Sequence, residues 1–432
     1  MDRIGKYEIR RKLGAGATST VYLGYDSFSQ REVAIKLIDP EVLKDAHRGR
    51  LFRHLVLNEA SLAGKLVHPH IVQIYDAVID DERSYIVMEY APGGTLEPFC
   101  RPDNLLPLDR LVEIVFKCTR ALDYAFRAGI THRDIKPANI LLAHPLAEGG
   151  ASADIKISDF GAALDSRSEQ TRTQVSGVGS PAYMSPQQVR EMPLDHQTDI
   201  YSLGVVMFQL LTGRLPFQAG NSYSMVYQIL NIEVPPPSAF RTDIPASLDA
   251  IVARALEKET EARYPDWEEF AQDLARAFRS GEISTQHTVF PDSEKFETLR
   301  GLPFFARFSD VEIWEVVRLS RWQALAAGTT ILKDGEPGDF FCFLCVGELS
   351  VSKRGHTLDL LAPGACFGEM AVIGRNRSRD ADVVAQTASR VVSISAEALE
   401  SATDACRMHF YEAFLDVLTG RLAAANLRLT AA

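Results

Sequence analysis

The sequence predicts an α+β chain in two units, the second a small β-roll with flanking helices. Three observations carry that prediction. Residues 1 to about 125 open with short β-rich pieces, among them Arg31-Glu32-Val33-Ala34-Ile35-Lys36-Leu37-Ile38 and Tyr85-Ile86-Val87-Met88-Glu89-Tyr90. From Leu108 to Phe278 the apolar residues recur mainly at helical spacing. After a polar stretch, short strand patterns are punctuated by Gly328, Gly335, Gly338, Gly347, Gly355, Gly364 and Gly368, the rhythm of a small barrel or roll.

In chain order, a helical pattern around Leu51 to Lys65 interrupts the first strands. The polar run Ser280-Gly281-Glu282-Ile283-Ser284-Thr285-Gln286-His287-Thr288 lies in a stretch read as a linker. The expected boundaries are therefore 1–278, a linker over 279–298, and 299–432. The second unit starts with a helix over Asp310 to Leu319 and ends with helical text from Ala396 to Leu429. Leu399, Cys406, Phe410, Phe414, Leu418 and Leu422 form an apolar stripe along that end.

The bulk numbers exclude several classes. At 432 residues the chain exceeds one core. Apolar residues at 46% and charged residues at 24% describe an ordinary folded protein, and a net charge of −11 argues against general nucleic-acid binding. Met1-Asp2-Arg3-Ile4-Gly5-Lys6 lacks an apolar signal core, and no run reaches the ~20 apolar residues of a membrane span. The expectation is a cytoplasmic protein. The six cysteines are scattered, and Cys342-Phe343-Leu344-Cys345 sits on a strand pattern where side chains three apart face opposite ways. They read as small hydrophobes.

The chemistry concentrates in His132-Arg133-Asp134-Ile135-Lys136-Pro137-Ala138-Asn139, followed twenty residues after Asn139 by Asp159-Phe160-Gly161. The first segment offers a carboxylate to orient a hydroxyl, a lysine two residues on, and an amide to hold a metal. The second offers a further carboxylate. Phosphoryl transfer needs these parts, because its protein chemistry is mostly positioning and charge neutralisation. Each residue alone is an ordinary turn or cap residue; the joint string is specific.

Here the chain resembles the eukaryotic-type protein kinases found in bacteria, over about residues 5 to 278. The resemblance implies a bilobal fold, β-rich first and helical second, that binds ATP with Mg2+ and phosphorylates protein serine or threonine. In the glycine segment Leu13-Gly14-Ala15-Gly16-Ala17-Thr18-Ser19-Thr20-Val21, the resemblance places Leu13, Gly14, Gly16 and Val21 around ATP. Ser19 stands where the family has a third glycine. Lys36, in Val33-Ala34-Ile35-Lys36, would contact the phosphates and pair with Glu59. Backbone groups of Glu89 and Ala91 would face adenine. Asp134 would accept the hydroxyl proton, Lys136 would neutralise the γ-phosphate, and Asn139 and Asp159 would hold magnesium. Lysine at 136 is the serine/threonine form. Thr171 and Thr173 are the expected phosphosites of an activation loop, whose added charge would pair with Arg133. Ser180 would bond Asp134 and Lys136. The family's Ala-Pro-Glu is Ser185-Pro186-Gln187 here, and Gln187 is expected to hydrogen-bond Arg263.

Gly335-Glu336-Pro337-Gly338-Asp339, Val346-Gly347-Glu348-Leu349 and Gly364-Ala365-Cys366-Phe367-Gly368-Glu369-Met370-Ala371 resemble the cyclic-nucleotide-binding domain. The resemblance implies that Gly368 and Glu369 face a ribose and Arg379 the cyclic phosphate of cAMP or cGMP. Asp380 follows Arg379, where the family usually has a small residue, so a carboxylate lies beside the phosphate position. The other reading is a degenerate roll used for docking or homodimerisation, with Glu369 and Arg379 paired to each other. For the whole chain, the alternative to an active, ligand-regulated kinase is a weakly active or inactive scaffold.

Overall fold

Strands rich in β-branched residues build a six-stranded antiparallel sheet at the start of the chain. They are β1 (Arg3–Ile4), β2 (Tyr7–Ala15), β3 (Ser19–Asp26), β4 (Arg31–Ile38), β5 (Ile74–Val78) and β6 (Tyr85–Glu89), in the order β1-β2-β3-β4-β6-β5. Between β4 and β5 lie α1 (Pro40–Lys44) and α2 (Gly49–Ser61). In this computed structural model, residues 2–16, 18–44, 49–80, 83–146, 153–165, 181–279, 291–373 and 378–431 are described. Period-two alternation divides β4 between two cores: Val33 and Ile35 join one, Ala34 and Ile38 the other. The second core includes Val56 of α2. Lys36 shares the face of Ala34 and Ile38, and Glu59 lies three residues beyond Val56. The two periodicities thus bring this lysine and this glutamate to one place.

The helical half contains α3 (Leu108–Arg127), the short strands β7 (Ile130–Thr131), β8 (Ile140–Leu142), β9 (Ile155–Ile157) and β10 (Leu164–Asp165), then α4 (Pro186–Val189), α5 (His196–Thr212), α6 (Ser222–Asn231), α7 (Ala246–Ala255) and α8 (Trp267–Arg279). Helix α5 is apolar nearly all round because it is the core: Ile200, Leu203, Val206 and Leu210 have no exposed surface. Asp195 caps its start, and Gly213 ends it in the left-handed region at φ 72°. A Cβ there would lie 2.4 Å from the Pro102 nitrogen, so the close approach admits only glycine. No described helix is long and apolar enough to cross a membrane.

A second unit spans Phe290–Ala432. It contains α9 (Asp292–Gly301), α10 (Asp310–Leu319), β11 (Arg321–Leu325), β12 (Thr330–Leu332), β13 (Phe340–Val346), β14 (Leu349–Lys353), β15 (His356–Leu361), β16 (Cys366–Phe367), α11 (Glu369–Ile373), β17 (Asp382–Ala385), β18 (Ser389–Ser395), α12 (Ala396–Ser401) and α13 (Asp404–Ala431). Its strands form two four-stranded sheets, β11-β18-β13-β16 and β12-β17-β14-β15. Helix α10 has the expected limits because Ser309 and Glu312 close a capping box at its start. Cys342 belongs to the roll's core, and all six cysteines are unpaired and buried.

Two expectations change here. Residues 292–301, read largely as linker, form a helix whose Phe296 and Leu299 are fully buried, with Phe296 packed on Trp314. Two short apolar anchors in a polar segment are too sparse for a periodicity signal. The stripe along the end of the chain also divides. Leu399, Cys406, Phe410 and Phe414 are buried, whereas Leu422 is 63% exposed. Phe410 sits among Phe304, Phe305, Phe308, Phe341 and Phe414. Phe410→Ala is expected to destabilise the second unit by about 3–5 kcal/mol, read as a lowered urea midpoint for that unit's unfolding.

Candidate active site

The cleft is organised around one ammonium group. Lys36 Nζ donates at 2.8 Å to Glu59 Oε2 and at 2.8 Å to Asp159 Oδ1, joining β4, α2 and the turn after β9. Burial alone would push Lys36 down, but the carboxylates of Asp159 and Glu59 outweigh it and hold the lysine well above its ordinary value. Burial pushes the Glu59 carboxyl up against the pull of Lys36, whereas Lys36 holds Asp159 down. Asp159 adopts the left-handed conformation, φ 66° and ψ 59°, which sets its carboxylate toward the lysine.

Opposite lies the loop carrying Asp134. Lys136 Nζ donates to Asp134 Oδ2 at 2.7 Å, and Asn139 Nδ2 donates to the same oxygen at 3.2 Å and to the Asp134 carbonyl at 2.8 Å. Asp199, buried in α5, accepts the backbone N–H groups of His132 and Arg133, each at 2.7 Å. Burial raises its carboxyl, so these two donors sit on a costly group that has been desolvated for this purpose. His132 Nε2 meets the Ser158 carbonyl at 3.0 Å and its ring packs on Phe160, tying the two loops together. Arg133 Nε donates to the Ala162 carbonyl, and burial lowers its guanidinium to about 10.

Leu13, Val21, Tyr90 and Leu141 pack against a core containing Ala34 and Met88, forming an apolar slot beside β6. The Glu89 amide is taken by the Gln73 carbonyl at 2.8 Å, and its side chain pairs with Lys156 at 2.8 Å. Ala91 follows two residues later, half-buried. A Cβ on Gly14 would meet nothing within 4 Å, and one on Gly16 only the Ser19 carbonyl at 3.8 Å. Packing therefore does not require these glycines, and Gly14 sits where the pairing of β2 with β3 shifts register, a position glycine suits. Thr171, Thr173 and Ser180 lie outside the described residues.

Gln187 does not pair with Arg263. The Arg263 guanidinium donates to the Glu257 carbonyl at 2.7 Å and the Gln197 carbonyl at 2.7 Å, and Gln187 Nε2 and Oε1 have no hydrogen-bond partner among the described residues. Carbonyl dipoles have replaced the missing carboxylate, and burial leaves Arg263 lowered to about 10. Sequence reading also missed Asn58, whose Nδ2 donates to the carbonyls of Ala163 at 2.6 Å and Gly161 at 3.3 Å. It lies next to Glu59, so one turn of α2 reaches the Asp159 turn through two neighbouring side chains, Glu59 by way of Lys36. Its short signal, one asparagine in a helix, is uninformative without the fold.

In the second unit a cavity of about 250 Å³ is lined by Gly368, Glu369, Arg379, Asp380 and Arg421. Arg379 is buried, donating to the Gly368 carbonyl at 2.9 Å and the Phe340 carbonyl at 2.8 Å, with its guanidinium 4.5 Å from the Phe340 ring centre. A Cβ on Gly338 would come within 2.6 Å of its Nε, so that glycine is fixed by the arginine. Glu369 pairs with Arg421 of α13, not with Arg379. Asp380 is exposed.

Residues 7–274 match the family model described as the protein kinase domain, and residues 322–405 match the cyclic nucleotide-binding domain. The chain is 35% identical to the serine/threonine-protein kinase PrkC of Bacillus subtilis over 291 residues, 67% of this chain and 43% of PrkC. It is 35% identical to the serine/threonine-protein kinase PknB of Mycobacterium tuberculosis over 301 residues, 68% of this chain and 46% of PknB. Thus it spans less than half the length of these curated relatives. The crystal structure of a double mutant of the PknI kinase domain of Mycobacterium tuberculosis superposes with a TM-score of 0.50 at 28% identity, covering 63% of this chain and 95% of that one.

Asn58→Leu keeps the volume but strands the carbonyls of Gly161 and Ala163. It is expected to destabilise the first unit by about 1–3 kcal/mol, seen as a lowered urea midpoint.

Proposed function

This chain belongs to the protein kinase family, and we propose that it transfers the γ-phosphoryl group of ATP to serine or threonine hydroxyls of proteins, its own loop included. The observation that carries this reading is the Lys36 ammonium shared by Glu59 and Asp159 in the same cleft as the Asp134–Lys136–Asn139 cluster.

ATP would lie with adenine in the slot of Leu13, Val21, Ala34, Met88 and Leu141, its edge toward backbone groups of Glu89 and Ala91. The glycine turn of Gly14 and Gly16 would cover the phosphates. Lys36 would bond the α and β phosphates while Glu59 keeps it aimed. Asn139 and Asp159 offer an amide and a carboxylate, a hard-oxygen set suited to magnesium, and the Asp159 side chain is 42% exposed and so open to it. Magnesium, when bound, neutralises charge building on the phosphates. Asp134 Oδ2 is occupied by Lys136 and Asn139, and no described residue donates to its other oxygen. That oxygen would accept the substrate hydroxyl's proton, with Lys136 offsetting charge on the transferred group. Phosphate on Thr171 or Thr173 would pair with Arg133.

The second unit is proposed to bind a cyclic nucleotide, cAMP or cGMP, at Gly368, Glu369 and Arg379 and to regulate the kinase through it. ATP supply and six unpaired cysteines favour a cytoplasmic setting.

Wild-type chain incubated with Mg-ATP is expected to gain phosphate on Thr171 or Thr173 by site-mapping mass spectrometry. Asp134→Asn, or wild type with EDTA, is expected to lose at least about a hundredfold in rate. A folded wild-type chain that gains no phosphate would leave a scaffold, and an active Asp134→Asn would remove Asp134 from the chemistry.

A further inference from the structure

Two cationic side chains meet beside α5, and among the described residues no carboxylate pairs with either. The Arg263 guanidinium lies 5.1 Å from the centre of the Tyr201 ring. Lys258 Nζ lies 6.0 Å from the same centre and 4.3 Å from that of Phe217. Carbonyls of Gln197, Glu257 and Lys258 engage Nε, Nη1 and Nη2 of Arg263 through four contacts. A guanidinium has five N–H donors, so one on Nη1 is left. Lys258 Nζ and the Tyr201 hydroxyl are buried without a hydrogen-bond partner among the described residues. Where the kinase family carries a glutamate for this arginine, the chain has Gln187.

An enclosed, unpaired ammonium is the costly form of a lysine. Burial and the charge of Arg263 lower Lys258 to about 8, against an opposing pull from Glu257. Near neutral pH it therefore holds about a hundredfold more free amine than an exposed lysine. A desolvated lysine beside a second cation is a nucleophile. Its electrophile must be small enough to pass between Phe217 and Tyr201, and the adduct must be anionic to suit Arg263. Carbon dioxide meets both conditions.

We propose that Lys258 is a carbon dioxide site, whose carbamate supplies the carboxylate that the family has and this chain lacks. The amine lone pair attacks the carbon of CO2 and forms an N–C bond. One C–O π pair moves onto oxygen, and a proton leaves the nitrogen for water. Nothing is oxidised or reduced. The new carboxylate accepts from the remaining Arg263 N–H and from the Tyr201 hydroxyl. An unpaired cation becomes the partner of its neighbour, so dissolved CO2 stabilises the packing of residues 257–264 on α5. The site uses none of the cleft residues and does not depend on the proposed transfer.

The test equilibrates the full chain with isotope-labelled bicarbonate, traps carbamates by O-ethylation with a trialkyloxonium salt, and maps them by mass spectrometry. Wild type should carry label on Lys258 about a hundredfold above exposed lysines, in proportion to free amine. At constant dissolved CO2 that label should increase as the pH approaches about 8. The urea midpoint of the first unit should rise with bicarbonate and not with chloride at equal ionic strength. Lys258→Arg, which keeps the charge, should lose both the label and the rise. Gln187→Glu returns the carboxylate, keeps Lys258 charged and should cut labelling about tenfold. Labelling of Lys258 no higher than that of exposed lysines, or unchanged by Gln187→Glu, overturns the proposal. A bicarbonate-dependent rise that survives in Lys258→Arg marks a bound anion in place of a carbamate and overturns it as well.

Discussion

The cleft of the first unit depends on one largely enclosed cation held by two carboxylates. Lys36 comes from a strand, Glu59 from a helix and Asp159 from a turn, and Glu59, with 4% of its side chain exposed, depends most on the shared ammonium. Breaking a buried pair by removing one partner costs about 3–5 kcal/mol, because the remaining charge stays desolvated. This makes the position of α2 conditional on the conformation of the Asp159 turn. Asn58 reinforces the coupling by holding the carbonyls of Gly161 and Ala163 from the residue beside Glu59. Asp199 does the equivalent for the other loop, fixing two consecutive backbone N–H groups so that Asp134 faces the cleft.

The second unit shows a different solution to a buried charge. Arg379 has no carboxylate partner among its hydrogen bonds, and carbonyls together with an aromatic face surround it. Arg263 in the first unit is treated alike, by the carbonyls of Glu257 and Gln197. Guanidinium suits this, since its planar fork can engage several carbonyl dipoles without losing its proton. Glu369 has no such option, because a carboxylate needs donors, and the donor comes from the distant Arg421.

Legibility in the sequence followed the range of the interaction. Short strings marked Lys36, Asp134, Asn139 and Asp159, and the structure gathers them in one cleft. Helix α10 was readable to its ends because its capping box is local. Partnerships across long separations were not readable. Glu369 with Arg421 joins residues 52 apart, and nothing at either position signals the other. The expected bond between Gln187 and Arg263 failed because backbone carbonyls, which every residue carries, outcompeted a side-chain amide. Helix α9 was hidden because Phe296 and Leu299 are too few to set a period.

The central claim is that the charge on Glu59 aligns Lys36 for the proposed transfer. Glu59→Gln keeps the shape and removes that charge. Single-turnover phosphoryl transfer should slow about a hundredfold in this variant, the scale expected when a reacting group is misplaced by about 1 Å, with Mg-ATP affinity changed far less. Transfer at the wild-type rate would contradict the account and reduce the Lys36–Glu59 pair to a structural contact.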